Sequence, residues 1–509
     1  MRTGRNFLTG VLSSAWSALL GFAFVPVYIR LLGIESYGLI GFLATTQAVL
    51  QFLDLGLAAT VNREVARSRA LADKPDVAPL LVTLGWVYWS TAAAIAAIGI
   101  AVAPWVASRW LTSSGLDDEI LARSVAWMGI VVACRWPIGL YQGALMGAER
   151  LALVSAASMI SVAASHGGGA LLLYFVSPSI ALFFAWQAAV GLGLALVLRL
   201  VTWRALSSRS RGAFALGELR KVWKFSAGMS GVAITGILLL QLDKVVLSKL
   251  LNLSDFGHYA LATVTASALY LLLTPTFNVA YPRLSTLVAQ GDTSAIVAFY
   301  RKGTQLLCTA LFPLACGVIV FAPDLLQVWT HNVDVASRAA PIVSIFLVGT
   351  ALNGAMHFPY ALQLAYGRTG LPLVINGVLL AVFVPLLLAL TLHFGAYGGA
   401  ASWAILNAFY LFFGAWLTHR ELLPGLALPW LGRDVLLPLA VSVVFVGGGG
   451  FLLRPHLDGP WLNLGLCALL IGLGFVCLLI LNPSARAALT DLTGRRPGIS
   501  SLPTLGRSQ

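Results

Sequence analysis

Leu31-Leu32-Gly33-Ile34-Glu35-Ser36-Tyr37-Gly38 and Leu250-Leu251-Asn252-Leu253-Ser254-Asp255-Phe256-Gly257 align at an offset of 219 residues, and each follows a basic residue, Arg30 or Lys249. The same offset, applied more than a hundred residues later, carries Tyr141 onto Tyr360, Phe175 onto Phe394 and Ala181 onto Ala400. Two separated matches in one register mark an internal repeat, and a repeat decides architecture before any motif does.

Apolar runs of the ~20 residues needed to cross a bilayer recur on both sides of these blocks. They fall at 7–29, 37–61, 80–107, 124–146, 151–175, 179–201, 222–248, 256–280, 303–322, 340–365, 371–393, 397–418, 434–453 and 461–481. Fourteen spans place both termini on one side, and the loops then sort sharply by charge. The side of the termini holds 24 Lys and Arg, among them Arg63, Arg67, Arg69, Lys74 and seven from Arg199 to Lys224. The other side holds six: Arg30, Arg109, Arg123, Lys249, Arg338 and Arg454. Acidic residues divide almost evenly, as expected of a rule that follows Lys and Arg, so both termini are expected in the cytoplasm. Six spans separate equivalent positions of the repeat, so the halves enter the membrane in the same direction and are related by a pseudo-twofold axis along its normal.

The expected fold is an all-α integral membrane protein of about 14 transmembrane helices. Residues 1–204 form an N-terminal six-helix bundle, 205–221 a basic cytoplasmic connector, 222–420 a C-terminal six-helix bundle, 421–482 two additional helices and 483–509 a disordered cytoplasmic tail. Composition agrees: 59% of residues are hydrophobic and 10% charged, with a mean hydropathy of +0.88, against roughly 25% charged in soluble domains. The net charge of +13 lies in short loops, which excludes a basic domain for nucleic acid. The five cysteines, Cys134, Cys308, Cys316, Cys467 and Cys477, form no CxxC or Cys/His cluster and read as packing residues. Arg2 and Arg5 before a long apolar stretch imitate a signal peptide, but no A-x-A site follows, so a retained first helix is expected.

The run from Pro26-Val27-Tyr28-Ile29-Arg30 through Gly38, followed by Leu53-Asp54-Leu55-Gly56-Leu57, resembles the N-terminus of the bacterial polysaccharide-export (O-antigen, Wzx-type) flippases. Gln241-Leu242-Asp243-Lys244-Val245-Val246-Leu247-Ser248-Lys249, with Phe256-Gly257-His258-Tyr259 after it, resembles them too. These flippases belong to the multidrug/oligosaccharidyl-lipid/polysaccharide exporter superfamily. The resemblance implies twelve core helices in two bundles, a cavity lined mainly by spans one, two, seven and eight, and transport of an undecaprenyl-diphosphate-linked oligosaccharide across the bacterial inner membrane by alternating access. It also implies a lipid-linked glycan and membrane lipids as partners, a coupling proton or sodium ion, and other polysaccharide-assembly membrane proteins nearby. No cofactor, metal or nucleic acid is implied.

An ionisable side chain at a helix centre costs roughly 2.5–3.5 kcal/mol on insertion scales, so the few present are candidates for function. Arg135 lies in the middle of span four. Gln47, Gln51 and Asp54 fall at i, i+4 and i+7 on span two, and Gln241, Lys244 and Ser248 repeat the arrangement on span seven, with Asp243 about 100° away from Lys244. Span eight adds a stripe of Thr263, Ser267, Tyr270, Thr274 and Asn278, and span ten Asn353, His357 and Tyr360. Arg135, Lys244 and, near the periplasmic mouth, Arg30 and Lys249 could hold a diphosphate. Gln47, Gln51, Gln241, Tyr270 and Asn278 would line the cavity, and Asp54 and Asp243 would bind the coupling ion or balance charge. The plainer reading makes Arg135 and Asp54 an ion pair joining spans two and four, His166 and His357 packing residues, and the span-eight stripe interhelical hydrogen bonds. Gly143 to Gly147 and Gly395 to Gly399 read as close helix packing.

No Walker A, HExxH, GxSxG or nucleotide-binding pattern occurs, and the longest non-cytoplasmic connections are about 17 residues, so an enzyme is not expected. Two rivals remain, a lipid II flippase and a cation-coupled drug exporter of the same superfamily. The drug exporters typically carry an acid in the first helix, and residues 7–29 contain none.

Overall fold

A computed structural model describes residues 2–70, 76–206 and 235–482 with positions 214 and 217. Most of the connector at 205–221 and all of the tail at 483–509 lie outside the described residues. The rest is helical, with one isolated β-bridge, between Thr112 and Asn252.

Among the described residues, ten helices are long and apolar enough to cross a membrane, or eleven if Leu253–Ser267 and Tyr270–Gln290 make one span. Two of the ten are too long to be single spans: Leu12–Asp54 has 43 residues and Gly370–Leu422 has 53, against about 20 for a ~30 Å hydrocarbon core. Each holds one glycine out of helical geometry, Gly33 (φ 81, ψ 164) and Gly395 (φ 56, ψ −132). Both φ values lie where a Cβ is strained, so glycine is what lets the chain leave one span and begin the next. The breaks coincide with the boundaries expected at 29/37 and 393/397. Gly395 is thus a turn residue, and only Gly399 of that motif packs closely, against Leu247 and Tyr259.

Other interruptions fall 219 residues apart. Gly33 corresponds to the break at Leu251–Asn252, Pro137 to Met356, and Val176 to Gly395, whereas the break at Ala268–Leu269 has no counterpart at the same offset, because the first half breaks at Gln51–Gly56. Phe175 and Phe394, matched in the sequence, are both exposed, as suits side chains facing lipid.

Contacts divide the chain into two compact units. The first comprises residues 1–266, 326–346 and 373–406, and the second 267–325, 347–372 and 407–509. In the first, small residues let backbones meet. A Cβ on Gly129 would lie 2.9 Å from the Cα of Gly99, and Cβ atoms on Gly143 and Gly147 would run into the carbonyls of Ala58 and Asn62. At the end of the bilayer expected to be periplasmic, Gly38 faces the Leu253 carbonyl while Gly257 faces the Ile34 carbonyl. Both pairs are offset by 219, so the two contacts exchange partners like halves of a twofold interface. A strap crosses the same end: Glu35 Oε1 accepts from the Ser113 hydroxyl (2.8 Å) and the Ser114 N–H (2.9 Å). The neighbouring residue, Thr112, accepts the Leu253 N–H at 2.8 Å.

In the second unit the helix Thr293–Val320 carries the last two helices. Asp434, fully buried, receives Arg301 through Nε and Nη2, both at 2.8 Å, and Gln305 Nε2 at 2.5 Å. Toward the other end, Asp324 pairs with Arg454 at 2.7 Å and accepts from Asn463 Nδ2 at 2.8 Å. Beside the Asp434 cluster Trp430 is buried, donating to Thr304 Oγ1 at 3.2 Å and stacking on Tyr300.

Candidate functional site

The sequence Arg135-Trp136-Pro137 places the site. Proline has no N–H and disfavours helix at the residue before it, so Asp118–Arg135 ends there and Ile138–Gly147 resumes. Arg135 therefore closes a helix, beside carbonyls whose partial negative charge suits a cation. Its stem fits because span six has glycine opposite: a Cβ on Gly191 would lie 2.9 Å from Arg135 Cγ.

The guanidinium is held by neutral groups. Nη2 donates to Gln187 Oε1 at 2.6 Å and Nη1 to Gln47 Oε1 at 3.2 Å. Gln187 is buried and oriented in turn, its Nε2 donating to the Ser165 carbonyl at 3.1 Å in the widened turn Ala164–Gly168. The Gln47 Nε2 donor is buried without a partner. Tyr28 OH and His166 Nδ1 are 2.8 Å apart on the same wall. These side chains, with Ser158 and Ser161, surround a cavity of ≈ 340 Å³ whose lining contains no Asp or Glu. Among the described residues no carboxylate forms an ion pair with Arg135.

Two amide oxygens can fix a guanidinium but cannot neutralise it. Arg has five N–H donors and these contacts use two, so charge and donors are left for a ligand in a site of low dielectric. An anion that accepts several hydrogen bonds matches that demand, and phosphate oxygens do so with planar geometry.

Of the residues expected from sequence, the structure joins Gln47 to Arg135. The alternative Asp54–Arg135 ion pair is not formed. Asp54 instead sits where span two breaks, in the turn Gln51–Asp54 before Leu57–Ala70. There one oxygen accepts from the Tyr88 hydroxyl and the other, at 3.3 Å, from the Ala58 N–H at a helix start. Asp243 and Lys244 do meet, at 3.2 Å, because the lysine stem spans the 100° between them; Asp243, 1% exposed, also accepts from Tyr259 at 2.6 Å. Lys249 is exposed, donating to the Arg109 carbonyl beside the Trp110 ring, and Arg30 and Gln51 are exposed. Gln241 is half-buried.

The span-eight stripe does not run along one helix, since Ala268–Leu269 interrupts it. Thr263 bonds its own Ala260 carbonyl. In the second unit Tyr270 reaches Asn353 at 3.4 Å, Asn353 reaches Asn407 at 2.8 Å, and Asn278 is exposed. His357 packs among Tyr270 and Phe277, and His166 stacks on Phe24 and Tyr28 while also bordering the cavity. Sequence reasoning misses Gln187 and the serine row Ser158, Ser161 and Ser165. The row's helical spacing on an apolar span is the available signal.

The family model described as Polysaccharide biosynthesis protein matches residues 3–288. No curated protein sequence matches the chain significantly. Solved structures match in fold. One is a lipid II flippase MurJ in an inward closed conformation, 13% identical, covering 96% of this chain and 100% of that one, with a TM-score of 0.71. Another is a multidrug resistance MATE family transporter of the MOP superfamily in an inward-facing conformation, 12% identical, covering 79% and 94%, with a TM-score of 0.65. A third is a point mutant of the Vibrio cholerae MATE transporter VcmN, 16% identical, covering 82% and 94%, with a TM-score of 0.56. At these identities the likeness is one of fold.

Proposed function

The chain belongs to the polysaccharide biosynthesis protein family, and from that premise we propose that it translocates an undecaprenyl-diphosphate-linked oligosaccharide across a bacterial inner membrane by alternating access, without catalysis. The observation that carries the reading is the cavity in which Arg135 is oriented by Gln47 and Gln187 but neutralised by no carboxylate among the described residues. A diphosphate brings about two negative charges and many acceptors to that cation. A drug exporter reading fits less well, because such a cavity repels cationic drugs and the first helix has no acid.

The likeness in fold to a lipid II flippase favours one second reading, lipid II itself, also a diphosphate-linked lipid. One assay separates the readings. The purified protein in proteoliposomes should move a fluorescent undecaprenyl-diphosphate oligosaccharide at least tenfold faster than lipid II or the same glycan on a lipid lacking the diphosphate. Equal rates with and without the diphosphate would sink the proposal; faster movement of lipid II would replace the substrate.

In this mechanism bundles 1–204 and 222–420 are the two moving halves, a division supported by the helix interruptions spaced 219 apart. Lys244 and its neutralising partner Asp243 stand on the second half. Gln51, Gln241, Tyr270 and Asn278 would meet the glycan in other states of the cycle, with Arg30 and Lys249 at the outer mouth. Asp54, whose oxygens engage Tyr88 and a helix start, would carry the coupling proton or sodium ion. In the same assay Asp54→Asn should translocate at least tenfold more slowly under an imposed ion gradient.

The topology follows from the loop charges. A reporter fused after Lys224 or at Gln509 should read cytoplasmic, and one near Asp118 or Asp334 periplasmic; a periplasmic signal after Lys224 would break the parallel repeat.

A further inference from the structure

We propose that His166 takes up a proton from solvent when the substrate's diphosphate enters the Arg135 cavity, so that an imidazolium and the guanidinium hold the anion together. The inference rests on the diphosphate reading of that cavity and supplies it with a second cation. His166 stands in the widened turn Ala164–Gly168, next to Ser165, whose carbonyl orients Gln187 on Arg135. The ring is fixed at one nitrogen only. Its Nδ1 lies 2.8 Å from the Tyr28 hydroxyl, and its face stacks on Phe24 and Tyr28 with centroids 5.7 and 6.0 Å away. Nε2 has no hydrogen-bond partner among the described residues and is not buried, so on a half-buried side chain that lines the cavity it is the open end of the ring.

Charge decides what this open nitrogen does. Of the side chains that share the wall with it, Tyr28 on span one and Arg135 on span four are the titratable or charged ones, while Gln47, Phe183, Gln187 and the serines of span five are neutral. No Asp or Glu lines the cavity. Without an anion, a second positive charge there has nothing to offset it. A diphosphate diester brings about two negative charges, of which the guanidinium meets one, and its oxygens can accept from Nε2–H while Nδ1–H donates to the Tyr28 oxygen. The aromatic faces on either side favour the cationic ring as well. Imidazole ordinarily changes charge close enough to neutrality for one bound anion to switch it. Proton and substrate therefore strengthen each other's binding by the same factor.

The test is calorimetric titration of the purified full chain with farnesyl-diphospho-N-acetylglucosamine, a diphosphate diester with no proton to exchange near neutrality, in HEPES and in Tris, whose heats of ionisation differ. Wild type should take up roughly 0.5–1 proton per ligand near neutral pH, and its affinity should rise as the solution is acidified, by at most about tenfold per pH unit for one linked proton. His166→Gln, or His166→Asn if that variant is poorly folded, should bind the same ligand with no proton uptake and an affinity that does not vary with pH. Uptake that persists in these variants would overturn the assignment to His166. Wild-type binding that is lost in Arg135→Ala yet takes up no proton would overturn the inference and leave the diphosphate reading standing. Binding indifferent to Arg135→Ala, or no binding by wild type, would sink that reading and this inference with it.

Discussion

Arg135→Ala is expected to lower translocation of the diphosphate-linked glycan at least a hundredfold while the amount of protein in the membrane stays near wild type. Two opposing effects decide the second half of that statement. Removing the guanidinium leaves Gln47 and Gln187 without charge-assisted bonds, each worth about 1.5–3 kcal/mol. It also removes a mid-membrane cation that costs roughly 2.5–3.5 kcal/mol to insert. The two bonds total about 3–6 kcal/mol, of which the relieved insertion cost offsets roughly 2.5–3.5 kcal/mol, so most of the folding penalty is removed and the larger loss falls on transport. Arg135→Lys keeps the charge but loses the planar fork that engages both glutamines, and partial transport is expected. Translocation and membrane abundance, measured together, check this. Wild-type transport by the alanine variant would end the cationic-cavity mechanism; its disappearance from the membrane would make Arg135 a structural residue.

The second large effect is expected at the outer end of the first unit. Gly38→Leu drives a side chain into the Leu253 carbonyl, and Gly257→Leu does the reciprocal damage at Ile34. Overpacking of this kind costs typically 1–3 kcal/mol. Charged only against the arrangement in which spans two and eight touch, that cost shifts an equilibrium roughly five- to 150-fold. Either variant should therefore insert normally yet transport at least tenfold more slowly. Gly21→Leu is the control, because nothing lies within 4 Å of a Cβ there, and it should transport within twofold of wild type. A Gly38→Leu protein that transports like the control would show that the contact does not belong to the cycle.

Much of the fold is legible in the sequence, because a bilayer demands long apolar runs and leaves charges in the loops. The repeat blocks are legible for a related reason, as the turn between two spans needs a particular local sequence twice. Gly33 shows where that reasoning weakens: its counterpart is Asn252, and the second half makes the turn with different chemistry. The family is evident from the same blocks. The cavity is only half visible. A lone mid-span arginine stands out, but its partner Gln187 is a neutral residue in a long apolar helix, and only folding brings it within 2.6 Å. Asp54 misleads for a physical reason. Helical spacing puts it on the Gln47 face, but the helix breaks after it and turns the carboxylate to Tyr88 and Ala58. The span-eight stripe fails the same way, by assuming one helix across Ala268–Leu269.

The two acid clusters at either end of the helix Thr293–Val320 bear on the history of the chain. Arg301 and Gln305 point at Asp434, and Asp324 points at Arg454 and Asn463, so the core presents charged and polar groups whose counterparts exist only in the last two helices. Breaking a buried pair by removing one partner costs roughly 3–5 kcal/mol, so shortening this protein after Leu423 would strand both clusters at once. Once those residues had been acquired, loss of the terminal hairpin required several coordinated substitutions in the core. The appendage is thus an addition that evolution cannot easily reverse, and descendants of this sequence should keep both helices even where their substrate changes.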